Sequence, residues 1–242
     1  MVGMSTAAQV AHIVQPFLER HPDFVLVGRS VVMKPVGHLL RRFFLDRSSA
    51  KGHIQPNWIV ATTFGPPPKH LAGAGARLQR GFGFVDDPQT QVRLLDEMEL
   101  ITSEIMRNAD MDGLPALSWK AEPVFGPGPM AFGMPLLAKG AFAEAAPYFA
   151  KALARVDAAV ERREAAVSKH RSPDSRPARL DAYVLGRQRE AQQGYRRICD
   201  LLTVGDAVAI AELLHEWEAA AVRLYKVEHI WQPSPFPFEL AS

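Results

Sequence analysis

The sequence predicts an α+β fold: an N-terminal helix with a three-stranded antiparallel sheet over residues 1–125, followed by an all-helical region of antiparallel helix hairpins over 126–242. Three observations carry it. Short β-branched runs are confined to residues 24–65, alanine-rich stretches with helical periodicity fill the second half, and proline and glycine break the chain between the two. With 242 residues, 48% of them hydrophobic and 22% charged, the chain can bury one large core or two modest ones.

Ser5 or Thr6 caps a first helix whose apolar positions Val10, Ile13, Val14, Phe17 and Leu18 follow helical spacing until His21-Pro22-Asp23 stops it. Three strands follow: FVLVGRSVVM at 24–33, HLLRRFFLD at 38–46 and NWIVATTFG at 57–65. Such close spacing makes them antiparallel neighbours with one face under the helices. Residues 65–87, with three consecutive prolines and five glycines, read as a long irregular loop. A helix over 87–108, capped by Asp86 or Asp87, carries the stripe Leu94, Met98, Ile101 and Ile105, and PALSWKAEPVFGPGPM after it reads as broken. From about residue 131 the chain becomes alanine-rich helix up to RSPDSRP at 171–177, a linker candidate. Helices over 178–203 and 205–229, with stripes such as Leu180, Val184, Ile198 and Ile210, Leu214, Leu224, form a hairpin about Gly205.

Net charge is +2 and the sequence pI is about 8.8, an excess of base too slight to argue for a nucleic-acid partner. Cys199 is the only cysteine, which excludes intrachain disulfides and zinc sites built on paired thiolates. The N-terminus lacks a basic n-region, and no stretch reaches the roughly 18 uninterrupted apolar residues of a membrane span. These features predict a cytoplasmic protein without a membrane partner. Arginine outnumbers lysine and alanine is abundant, a bias of GC-rich bacterial genomes.

KGAFAEAAPYFAKAL, at 139–153, has a turn glycine between two helical runs. Gly133 offers a small residue in the first, Gly140 the turn, Phe142 a large residue, and Ala145, Phe149 and Ala152 a small–aromatic–small series. On these residues the segment 126–159 resembles a single tetratricopeptide repeat. The resemblance implies a helix-turn-helix unit in which small residues let the helices approach while Phe142 and Phe149 fill the space between. The first helix, with Pro129 and Pro135, departs from the family pattern, and no second copy follows at the expected period.

Catalytic and metal motifs are incomplete. NADMDG at 108–113 begins like a calcium loop, but Trp119 stands where the bidentate glutamate belongs, and HEWE at 215–218 lacks a second histidine four residues on. No nucleophile elbow or phosphate-binding loop occurs. No metal and no cofactor is therefore expected. His38, Arg42 and Asp46 share one face of the second predicted strand and, with His70 in the loop, are the weak catalytic candidates. Between 151 and 197 basic residues exceed acidic ones by six, so Arg162 and Arg163 are candidate partner contacts. Trp231, Phe236 and Phe238 of the proline-rich tail IWQPSPFPFEL are either packed on the body or presented to a partner.

The function expected is a non-catalytic bacterial interaction module that binds another protein, in concrete form an inhibitor or immunity-type protein. The competing expectation is an enzyme or small-ligand binder that uses a cleft between sheet and helices.

Overall fold

The computed structural model describes residues 6–47, 52–120, 130–170, 172 and 175–240. Ser5, Pro129, residues 48–51 of the polar loop and Arg171, Pro173 and Asp174 of the linker candidate lie outside them. Two compact units make up the chain, and neither is continuous. A sheet unit comprises Met1–Thr63, Gly73–Pro127 and Val222–Ser234, and a helical unit comprises Phe64–Ala72, Gly128–Ala221 and Pro235–Ser242. The fold is α+β, with an antiparallel sheet and seven α-helices among the described residues.

In the sheet unit, α1 (Ala7–Arg20) starts at a capping box, Thr6 accepting from the Gln9 amide while the Gln9 side chain accepts from the Thr6 amide. Its buried stripe is Val10, Ile13, Val14 and Phe17; Pro16 is on the exposed side. Among the described residues the sheet has six strands rather than three. β1 (Phe24–Val27) and β2 (Ser30–Met33) come from a run that reads as one strand, because Gly28, at φ +62, supports a two-residue turn. β3 (Leu39–Arg47) pairs β4 (His53–Thr62) over nine positions, from Leu39↔Thr62 to Arg47↔Ile54. β5 (Ala72–Arg77) and β6 (Gly83–Phe84) lie inside the stretch expected to be irregular, and both flank β4.

Glycine misleads at β5. A Cβ at Gly73 would stand 2.1 Å from the Val60 carbonyl oxygen and one at Gly75 would stand 2.5 Å from that of Trp58. AGAGAR is a strand because only glycine lets its backbone lie so close to β4. Phe43, Leu45, Ile54, Trp58, Val60 and Ala74 form the covered face, and Phe17 meets Phe24 and Phe43 edge to face at 5.2 and 5.8 Å. α2 (Pro88–Ile101) is capped by Asp87, which accepts from the Gln89 and Thr90 amides, and brings Leu94 and Met98 to the same core. It continues into a π-helical turn over Thr102–Met106, which buries Met106. Gly113 donates to the Asp110 carboxylate at 2.6 Å, so NADMDG is a polar turn leading into α3 (Leu114–Lys120), a helix in a stretch that reads as broken.

The helical unit begins with α4 (Met130–Ala138), apolar on every side and buried over Met130, Ala131, Gly133, Met134, Pro135, Leu137 and Ala138. Gly140, at φ +80, turns the chain into α5 (Phe142–Val167). Backbones approach at Gly133, where a Cβ would meet that of Tyr148 at 2.9 Å, and Ala145, Phe149 and Ala152 are buried. α6 (Arg176–Val204), capped by Ser175 and closed by left-handed Gly205, packs against α5 as a hairpin, and α7 (Ala207–Tyr225) follows. The linker candidate thus falls between two helices of one unit, its last two residues opening α6. Leu180 and Leu224, expected to face inward, are exposed. α6 buries Ile198 as expected, and with it Ala178, Leu185 and Gly194, because the close contacts fall at small residues that a hydrophobic stripe underweights.

Phe64–Ala72 also belongs to this unit: Pro66 and Pro67 pack over Gly194, where a Cβ would be 2.7 Å from Pro67, and Arg187 donates to the Pro68 carbonyl oxygen. The C-terminal tail packs as well. Phe236 is fully buried and edge-on to Phe64 at 4.9 Å, and Phe238 covers Gly140 and meets Phe142 at 5.2 Å. No helix among the described residues is long and apolar enough to cross a membrane.

Candidate functional site

The weak catalytic candidates have separate surroundings. Arg42, on β3, lies between the rings of Phe44 and Tyr225, its guanidinium carbon 5.3 and 4.6 Å from their centroids, and donates to the Ser30 hydroxyl at 3.3 Å. Burial lowers its pKa below the ordinary arginine value. Asp46 is exposed further along the same strand face, while the His38 ring lies 3.2 Å from the Ser234 hydroxyl. His70 belongs to the helical unit. Its Nδ1 is 3.1 Å from the Gly65 carbonyl oxygen, and burial pulls its pKa down despite Glu190 and Glu216 nearby.

The sheet unit has a cleft of about 370 Å³ lined by Lys34, Pro35, His229, Ile230, Trp231 and Gln232, and none of those four residues lines it. The strap 230–232 forms its wall by pairing with Val36: the Val36 amide donates to Ile230 and the Gln232 amide donates back to Val36. Trp231 is thus part of a wall, its indole N–H buried with no partner among the described residues. In the helical unit, His215 Nε2 is 3.0 Å from Glu239, which also accepts from the Phe236 amide, and His215 Nδ1 is 3.9 Å from the buried Glu218. His215 therefore helps to anchor the tail. No group of three or more potential metal ligands occurs among the described residues. Burial, and secondarily Asp200, raises the Cys199 thiol pKa, the wrong direction for a reactive thiolate.

The α5–α6 hairpin sorts its charges into two populations. Three of its acids are used internally: Asp157 accepts from Gln192 and Arg196, Glu164 pairs with Arg189, and Asp181 is held by His170 and Arg163, while Glu144, Glu161, Glu190 and Asp200 are exposed and make no ion pair among the described residues. His170 and Arg163 together keep the Asp181 carboxyl below the usual carboxylate range. Arg163 is therefore a fastener within the hairpin, whereas Arg162 points to solvent. Lys151, Arg155, Arg162, Lys169, Arg176 and Arg179 are all exposed and have no ion-pair partner among the described residues. Tyr183 and Leu180 stand among the last of them, 64% and 60% exposed.

The excess of base over 151–197 does not by itself separate free cations from paired ones. One sequence signal does separate part of them. None of Lys151, Arg155, Arg162 and Lys169 has an acidic residue three or four positions away, the only spacings that pair along a helix. Comparison of the chain with protein-family models, with curated proteins and with solved structures returns no match.

Proposed function

We propose that the protein is a non-catalytic interaction module whose helical unit, built on the tetratricopeptide-like α4–α5 hairpin, offers a cationic surface to another protein. The observation that supports it is the division of charge on α5–α6: Asp157, Glu164 and Asp181 are taken up by internal pairs, and among the described residues six exposed cations have no ion-pair partner, against four exposed acids, Glu144, Glu161, Glu190 and Asp200. Lys151 and Arg155 are like charges at i, i+4, an arrangement that costs an isolated helix about 0.2–0.5 kcal/mol. An acidic partner surface turns that repulsion into attraction. In its concrete form the module is a bacterial cytosolic inhibitor or immunity-type protein that covers an acidic face of a toxin or enzyme.

Affinity capture from host lysate tests this reading, with the tagged full chain run beside an Arg155→Glu/Arg162→Glu variant. The expected result is a stoichiometric protein retained by the native chain and lost by the folded variant. Recovery of the chain alone, shown to be folded, overturns it. The competing reading as a small-ligand protein has the Lys34–Gln232 cleft in its favour, and a rise in Tm with small carboxylates or phosphates that disappears on Lys34→Ala would support it.

A further inference from the structure

We infer that the outer face of α5 is a docking strip for an acidic α-helix, one whose carboxylates recur at the spacing of its own cations. This rests on the interaction reading above and names the class of partner. Lys151, Arg155 and Arg162 stand four and seven residues apart on α5, and Lys169 follows seven residues later in the turn that closes it. At 100° per residue, intervals of four and seven stay within about 40° of one another, so the cations form one row. At 1.5 Å per residue the first three span about 16 Å, in steps of about 6 and 10 Å. The buried residues of α5, Ala145, Phe149, Ala152 and Val160, lie on a different side of the helix.

Three features favour a helix over other polyanions. Intervals of four and seven residues are those at which a second helix, lying alongside, presents side chains on one face. The positions along one edge of the row, Ala154, Ala158 and Ala165, carry only methyl groups, so they add no bulk between the cations and a partner backbone. No aromatic side chain lies between the cations of the row to stack on a nucleobase, as single-stranded nucleic-acid grooves require. The acid Glu161 stands about 100° round the helix from Arg162 and borders the row on the side of Ala154 and Ala165, and Glu144, seven residues before Lys151, lies in line with the row and marks its N-terminal end.

The test is fluorescence anisotropy of the full-length protein with a labelled helical peptide of about 28 residues, long enough to hold helix, whose glutamates are spaced four, seven and seven apart. A scrambled peptide of equal charge and an oligonucleotide serve as controls. The patterned peptide is expected to bind at least about fivefold tighter than the scrambled one, at the scale of a few exposed ion pairs. Arg155→Glu/Arg162→Glu/Lys169→Glu should reduce its binding about tenfold or more. A lysine version of the peptide should then bind that variant in its place. A glutamine version of the triple variant, checked by circular dichroism, separates loss of the strip from loss of fold.

Equal binding of patterned and scrambled peptides, or none of either, overturns the helix inference while a partner captured from lysate leaves the interaction reading standing. Tighter binding of the oligonucleotide overturns both. Undiminished peptide binding by the triple variants places the contact elsewhere and removes the strip.

Discussion

Arginine is used in opposite ways in the two units. In the sheet unit it fastens: Arg41 donates to the Ala109 carbonyl oxygen at 2.7 Å, Arg29 donates to that of Leu45, Arg42 is held between two rings, and Arg20 and Arg107 meet Glu99 and Asp23. In the helical unit Arg163, Arg189 and Arg196 fasten one edge of a hairpin, while Arg155 and Arg162 have no ion-pair partner among the described residues. The difference teaches that charge count does not locate a surface; what locates it is the remainder after internal pairing. A guanidinium takes part in folding where a carbonyl, ring or carboxylate is fixed within reach, and stays available where its helical neighbours are alanines.

The contrast can be broken first at the backbone. Gly73→Val puts a side chain where even a Cβ stands 2.1 Å from the Val60 carbonyl oxygen, and should cost the sheet unit about 3 kcal/mol or more, read as a collapse of the urea midpoint. A near-native midpoint would mean that β5 does not lie on β4. Arginine itself gives the next largest effect. Arg42→Ala removes a half-buried side chain packed between Phe44 and Tyr225 and should destabilise by about 2 kcal/mol, while Arg155→Ala should stay within about 0.5 kcal/mol. Equal losses in the two variants would erase the distinction between fastener and free cation.

Glycine sharpens the contrast from the other side. A Cβ at Gly186 on α6 meets nothing within 4 Å, so Gly186→Ala should raise stability by about 0.5–1 kcal/mol, the reverse of the sheet result. A fall in the melting temperature would show that this helix position is not open. The smallest effects come with pH. Asp181, depressed by His170 and Arg163, stabilises the hairpin above its ordinary carboxylate pKa, and that contribution is lost as pH falls through the depressed value. His70, lowered by burial, keeps its contribution at neutral pH, and loses it as pH falls below the ordinary histidine value of 6.5. Asp181→Asn should flatten the acid limb of the stability profile and His70→Gln the limb just below 6.5. An unchanged profile in either variant would remove that group from the account.

Much of the architecture was legible before any coordinates. The cap at Thr6, the stripe Val10–Phe17, the strand cores at 39–46 and 57–62, the Asp87 cap and the glycine turns at 140 and 205 are written in local patterns, and local patterns follow from backbone sterics and side-chain periodicity. β5 was not legible, since AGAGAR carries a turn-like composition and becomes a strand only because β4 lies against it. Leu180 and Leu224 misled for the related reason that helix contacts form where backbones come close, at Ala178 and Gly194, rather than where the largest apolar side chains are.

Of the surface, the sequence by itself determined the excess of base on 151–197 and the alanine neighbours that leave Lys151, Arg155 and Arg162 without helical pairs. It could not decide that Arg163, next to Arg162, is engaged, nor that Phe236 is buried while Tyr183 is exposed. Those outcomes belong to the tertiary structure. An ion pair or a buried ring depends on a residue distant in sequence, Asp181 for Arg163 and Phe64 for Phe236, and only folding brings the two together.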